Sequence, residues 1–244
     1  MTSVIRKLHR KLGVILQGGA GVVLRRWRLL RRDRDRYSAE SLRKEGWASQ
    51  NGQDKFVVAL LKGRRDGCFV DIGAYDGQDI SNTVYLERQL GWRGICVEPI
   101  PAIFEKLRAA RNCICECACI SVRDGTDTFV VVHDNETMSG LKSTMTAAHL
   151  SRIASDQTEE IAVPCHRFDT LLKRNHVDRV DFLSIDTEGS ELDILRSIDF
   201  AATPISIICV ENTYHGDEIA LLLSKQGYQI EGILGGDEIY VKLP

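Results

Sequence analysis

The sequence predicts an α/β fold built on a mainly parallel, doubly wound sheet with helices on both faces. Three observations carry that expectation. Short apolar runs alternate with helical patterns through most of the chain, acidic residues and glycines stand where the apolar runs end, and the last segment reads as a β-hairpin. At 244 residues, 43% hydrophobic and 27% charged, the chain can hold one sizeable globular domain and a short appendage.

Each element follows in order. A polar entry segment at 37–53 precedes a helix at 54–61. The first strand is expected at 68–72, running into Gly73-Ala74-Tyr75-Asp76-Gly77 and a helix at 79–90. The second strand, 94–98, ends on Glu98-Pro99. Helix 101–110 starts on Pro101, whose missing N–H costs nothing at a helix start. A third strand is expected at 114–121, and an added strand at 129–133 follows the Asp124-Gly125 turn. Residues 134–160 are polar and weakly periodic; loops of that length in compact domains are usually functional or mobile, and this one reads as a cover over a site, with a short helix near Ala147. A strand at 161–165, a helix at 168–174, strand four at 181–185, a helix at 190–198, strand five at 205–211 and a helix at 217–226 continue the alternation. The hairpin pairs 228–233 with 238–242 around Gly235-Gly236.

The formal net charge of −2 hides an asymmetry. Residues 1–36 hold eleven Lys or Arg and two Asp, a net of +9, leaving −11 on the remainder. The expected division is therefore a basic amphipathic arm at 1–36 and a globular domain at 37–244. In the arm Ile5, Leu8, Leu12 and Ile15 recur at helical spacing beside Arg6, Lys7, Arg10 and Lys11; Trp27, Leu29 and Leu30 follow a glycine break at 18–21. Peripheral contact with an anionic membrane is one reading, a solvated leader the other. The 13 uncharged residues from Leu12 to Leu24 are too few to span a bilayer, and no small-x-small cleavage site precedes Arg25. The expected location is cytoplasmic, at most peripheral at the inner membrane surface. Nucleic acid is a poor partner, because the body is acidic and has no basic stripe with stacking aromatics. The run Cys113, Cys115, Cys117 and Cys119 is expected on one strand face, its sulfurs roughly 6–7 Å apart and too splayed to share a zinc ion. It reads as small packing residues under a helix.

The chemistry concentrates at strand ends. Gly73 and Gly77 are spaced Gly-x-x-x-Gly, not the Gly-x-Gly-x-x-Gly of a pyrophosphate binder. Glycines allow positive φ and close ligand approach, and the following helix offers free N–H groups. With Asp71 in the strand, the loop suits a ligand bearing an ammonium group; S-adenosylmethionine is such a ligand. Glu98 is placed to accept ribose hydroxyls. Asp186, Glu211 and Asn212 end strands four and five and form an all-oxygen set that suits Mg2+ holding adjacent hydroxyls, or a polar rim without an ion. Asp186 and His215 are the candidate bases for a hydroxyl proton, with His133 a further one. Glu191 reads as a favourable helix-dipole residue.

Val-Asp-Ile-Gly-Ala-Tyr-Asp-Gly (70–77), Gly-Trp-Arg-Gly-Ile-Cys-Val-Glu-Pro (91–99) and Asp-Phe-Leu-Ser-Ile-Asp-Thr-Glu-Gly-Ser-Glu (181–191) together resemble the FkbM-type methyltransferases. The similarity covers residues 47–242 and leaves the arm outside. It implies a class I (Rossmann-like) methyltransferase fold, with a seven-stranded, mostly parallel sheet and a C-terminal antiparallel hairpin. It also implies S-adenosylmethionine as cofactor and O-methylation of a hydroxyl on a small-molecule or glycan acceptor. Asp71, Gly73, Tyr75, Gly77, Asn82, Thr83, Glu98, Pro99, Cys119 and Asp186 become cofactor residues on that resemblance, with 49–54 and Ser139-Gly140-Leu141 as further cleft residues. The acidic set is similar to that of metal-dependent sugar O-methyltransferases, except that Asn212 stands where a second acid is wanted. Two other classes stay open: a nicotinamide or sugar-nucleotide oxidoreductase, and a non-catalytic module held at a membrane by the arm.

Overall fold

A computed structural model of the chain describes residues 19–33, 36–133, 135–212 and 216–244. The strands are β1 (Cys68–Ile72), β2 (Arg93–Val97), β3 (Ile114–Glu116), β4 (Cys119–Ile120), β5 (Gly125–Val132), β6 (Gly140–Leu141), β7 (Thr158–His166), β8 (Val180–Ile185), β9 (Ile205–Glu211), β10 (Tyr228–Leu234) and β11 (Asp237–Lys242). The helices are α1 (Gly19–Asp33), α2 (Ala39–Lys44), α3 (Gln53–Leu60), α4 (Val84–Leu90), α5 (Pro101–Ala110), α6 (Ala147–Arg152), α7 (Phe168–Arg174), α8 (Glu191–Ser197) and α9 (Glu218–Lys225).

The main sheet has seven strands in the order β10-β11-β9-β8-β1-β2-β3. All neighbours are parallel except β11, which runs antiparallel to both β9 and β10. Side chains alternate across each strand, so the sheet needs two covers. Val70, Ile72, Leu183, Ile185, Ile208 and Val210 pack on one face with Phe168 of α7, Leu195 of α8 and Leu223 of α9. Phe69, Phe182, Ile207 and Cys209 pack on the other with Phe56 of α3, Leu86 of α4 and Leu107 of α5. The chain crosses from one side of the sheet to the other between β1 and β8, the position at which such sheets open a crevice at their carboxyl ends. Among the described residues no helix is long and apolar enough to cross a membrane.

Four features depart from the sequence expectation. The 114–121 strand breaks at Cys117-Ala118: β3 stays on the main sheet and β4 joins a second sheet ordered β4-β7-β5-β6. The four cysteines of the run therefore do not share one strand face; Cys113 Sγ lies 3.5 Å from Cys96 Sγ, whereas Cys119 pairs in register with Cys165. All eight cysteines are free thiols. The 134–160 cover is real but more regular than a loop, holding a 3-10 turn at Glu136–Met138, β6, α6 and the start of β7.

The helix after β1 begins only at Val84. Ser81 Oγ accepts the N–H groups of Thr83 and Val84, and Arg111 donates to the Gly77 carbonyl and to Ser81 Oγ, which holds the preceding residues as a turn. Finally, the division at residue 36 does not coincide with a packing boundary. Helix α1 lies against β10 and α9. Arg26 is fully buried and donates to Glu238 at 2.5 Å and to Asp217 at 3.1 Å, while Leu29 enters the core. Residues 1–18 of the expected arm lie outside the described residues.

Candidate active site

The carboxyl ends of β1, β2, β8 and β9 meet a cavity of about 280 Å³, roofed by the second sheet. Gly73 makes the meeting possible. Its φ is +82°, its N–H and that of Ala74 both reach the Val97 carbonyl at 3.0 Å, and a Cβ there would lie 1.7 Å from the Asp186 carbonyl oxygen. Only glycine fits between the two turns. Tyr75 and Glu188, one in each turn, hold left-handed φ of 50° and 54°. Non-glycine residues enter that region at a cost of order 1–3 kcal/mol, and such strain gathers at functional sites.

Glu98, only 5% exposed, sits at the tip of β2. One carboxylate oxygen accepts the Ile100 N–H at 2.9 Å and the other the Tyr75 N–H at 3.2 Å, tying the β2 tip to the glycine turn. Burial pushes its pKa up from 4.5 to about 7, against those two hydrogen bonds. Tyr75, Pro99, Ile100, Ala118, Cys119, Ile120 and Phe129 complete that half of the cavity.

The other half is lined by Glu136, Thr137, Ser139, Leu141, Asp186, Thr187, Glu188, Ser190 and Glu211. Asp186, Glu188 and Glu211 can each present a carboxylate oxygen within 4.8 Å of the others. The Asp186 side chain opens to the cleft, where water reaches it, yet protein surrounds it in depth. Burial, then the nearby Glu211, raises its pKa well above the usual carboxylate range. Burial and Glu211 likewise push Glu188 up to about 8. Glu191 fixes the turn itself: one of its oxygens accepts from Thr187 N at 2.8 Å, Thr187 Oγ1 at 2.8 Å and Gly189 N at 3.0 Å. It acts through these bonds and not only through the helix dipole.

Gly73, Tyr75, Glu98, Pro99, Cys119 and Asp186 of the expected cofactor set line the cavity; Asp71, Gly77, Asn82 and Thr83 do not. Asp71 shares the strand face of Phe69, so its carboxylate points beneath the loop and accepts from Thr83 Oγ1 at 2.6 Å. Arg111 donates to Thr83 Oγ1 at 3.0 Å and to the Gly77 carbonyl, and with Leu107 its side chain fills the space a Cβ on Gly77 would take. These residues carry the loop from below. Asn82 donates to Ser184 Oγ at 3.0 Å, and its buried Oδ1 has no hydrogen-bond partner among the described residues.

Asn212 of the expected metal set has its Nδ2 engaged elsewhere, donating to the Gly216 carbonyl at 2.8 Å and to Glu238 at 2.9 Å, and the carboxylates that converge are Asp186, Glu188 and Glu211. His215 lies outside the described residues. His133 stands near Glu159 at 3.5 Å at the end of β5 and is not among the cavity residues. Of the 49–54 segment, Gln50 reaches the cavity, while Asp54 binds Ser49 Oγ at 2.5 Å and the Ala48 N–H at 2.8 Å to shape that segment. Sequence reasoning missed Glu188, Phe129 and Glu136. An acid before glycine in a strand-to-helix turn was a usable signal for Glu188; Phe129 and Glu136 arrive through the second sheet, which has no local signature.

Comparison with known proteins places this geometry. Residues 71–230 match the methyltransferase FkbM domain model. No curated protein matches the chain. Among solved structures it is similar to the methyltransferase FkbM from Methylobacillus flagellatus KT, with 13% identity and a TM-score of 0.49 over 80% of this chain and 48% of that one. This chain thus spans about half the length of that protein. A TehB-like SAM-dependent methyltransferase from Corynebacterium glutamicum ATCC 13032 Kitasato shows 12% identity and a TM-score of 0.39 over 84% and 94% of the two chains. A precorrin-6y C5,15-methyltransferase from Geobacter metallireducens GS-15 shows 15% and 0.39 over 73% and 71%. The sheet order with its reversed β11 is that of the class I methyltransferase fold. The family match takes in the glycine turn, Glu98 and the Asp186 turn, so the chain belongs to the FkbM methyltransferase family.

Proposed function

We propose that this chain methylates a hydroxyl oxygen of a sugar, glycan or related polyol, with S-adenosylmethionine as donor. The observation that carries the reading is the two-sided cavity, with Glu98 and the Gly73 turn on one side and crowded carboxylates on the other. The residues fit the cofactor. Each Glu98 oxygen takes one main-chain N–H and keeps a lone pair for a ribose hydroxyl, and no side chain at Gly73 blocks a close approach. When bound at Glu98 and the Gly73 turn, S-adenosylmethionine would supply an electrophilic methyl group.

The protein's own work is positioning and proton handling. Holding the acceptor oxygen in line with the donor is worth several kcal/mol. Asp186, its basicity raised by burial and by Glu211, takes the hydroxyl proton. Thr137, Ser139, Thr187 and Ser190 offer hydroxyls that suit a polyol, and the cavity lining includes no Lys, Arg or His among the described residues, which disfavours a phosphorylated acceptor. Incubation with trideuteromethyl-labelled cofactor and a cellular glycan fraction should place the label on ether oxygens. Label appearing only on nitrogen or in protein would overturn the reading, and undiminished turnover in Asp186→Asn would remove the assigned base.

Asp186, Glu188 and Glu211 also suit a hard divalent ion such as Mg2+. Mg2+ should then raise the melting temperature of the parent protein and leave E188Q/E211Q unmoved. An equal shift in both would count against the site.

A further inference from the structure

We infer that the outward face of α1 docks the domain on an anionic lipid bilayer. The inward face is fixed: Arg26 is buried in its ion pairs with Glu238 and Asp217, Leu29 is in the core, and Val22 and Leu30 pack against it. At helical spacing Ala20, Leu24, Trp27, Arg28 and Arg31 fall on the opposite side. Leu24 and Trp27 are 56% and 47% exposed, and Arg28 and Arg31 are exposed beside them. An apolar centre with an indole, rimmed by guanidinium groups, is the surface of a helix that lies in the headgroup layer: the indole sits at the interface while the arginines reach up to lipid phosphates.

Charge selects the partner and its orientation. Residues 1–36 carry a net of +9 and the remainder −11, so an anionic surface attracts this end and repels the body. Nucleic acid would engage the arginines but leave Leu24 in water, which favours lipid. Because Arg25 and Arg26 fasten α1 to β10 and β11, the helix carries the whole domain with it. This inference does not rest on the methyl acceptor proposed above.

The test uses the full chain and vesicles of equal parts phosphatidylglycerol and phosphatidylcholine, with pure phosphatidylcholine vesicles alongside. Trp92 is buried and Trp47 stacks on Tyr85 with ring centroids 4.1 Å apart, so Trp27 reports the interface. The expected result is co-sedimentation and a blue-shifted emission with the anionic vesicles alone, lost in L24E/W27E and weakened about tenfold or more in R28Q/R31Q. Both variants should still bind S-adenosylhomocysteine, which separates lost docking from lost folding. Equal sedimentation of L24E/W27E and parent would overturn the inference. So would no sedimentation of the parent, or retention of the parent by RNA and not by vesicles.

Discussion

Gly73 and Glu98 do most to shape the cavity at the scale of single residues. Gly73→Ala puts a methyl group into the Asp186 carbonyl at a backbone angle that alanine disfavours. It should destabilise the fold by roughly 2–3 kcal/mol or more and abolish cofactor binding, measured by chemical denaturation and titration. A variant of parental stability would show that the two turns are not in such close contact. Glu98 predicts a pH dependence. Its folded pKa of about 7 lies above the ordinary 4.5, so the native state holds a proton that the unfolded chain has released. That contribution to stability is full below pH 4.5 and is lost as pH rises through 7, up to about 3 kcal/mol in all. Glu188 at about 8 and Asp237 at about 7, both raised chiefly by burial, act in the same direction. Cofactor affinity should move the opposite way, because ribose hydroxyls donate best to the ionised carboxylate. Binding of S-adenosylhomocysteine should tighten about tenfold between about pH 6 and about pH 8, and Glu98→Gln should weaken it and flatten the slope. An unchanged slope in the variant would assign the titration to another group. The position of Glu98 at the cavity was legible in the sequence because Pro99 ends the β2 run directly after it, at the carboxyl edge of the sheet. Asp71 was legible as a motif but not as a role: the two-residue alternation of β1 turns its side chain under the loop, and only Arg111, forty residues on, explains why.

Among the elements, α5 was readable to the residue because Pro101 marks its start and a single apolar stripe its inner face. Helix α1 was readable neither at its start nor as part of the body: Gly19, Ala20 and Gly21, which read as part of a break, form its first turn. Its basic composition suggested a free arm, whereas Arg26 is matched by two acids 191 and 212 residues away, Asp217 and Glu238. Glu238 is itself buried and also takes bonds from Asn212 and Tyr240. Arg26→Met should therefore leave an uncompensated buried carboxylate and cost about 3–5 kcal/mol. Chemical denaturation checks it; a loss under 1 kcal/mol would mean that α1 detaches from the sheet at little cost. The second sheet was the least legible element. Its β5–β7 ladder pairs residues 125–132 with 158–165 across an intervening segment, a long-range pairing that periodicity within either strand does not announce.

Across the whole molecule, the alternation of strands and helices was enough to specify a mostly parallel sheet, because each strand needs cover on both faces. The carboxyl edge of that sheet gathers Glu98, Asp186, Glu188 and Glu211 into one cavity, and the net charge of −11 outside residues 1–36 belongs to the same acidic body. The central claim is that this edge holds an adenosyl sulfonium between the Gly73 turn and Glu98. Calorimetric titration of the purified chain with S-adenosylhomocysteine, and separately with NAD, tests it most directly. One saturable site for S-adenosylhomocysteine, absent in Glu98→Ala and with no heat from NAD, is the predicted result. Silence with S-adenosylhomocysteine, or equal binding of the dinucleotide, would contradict it.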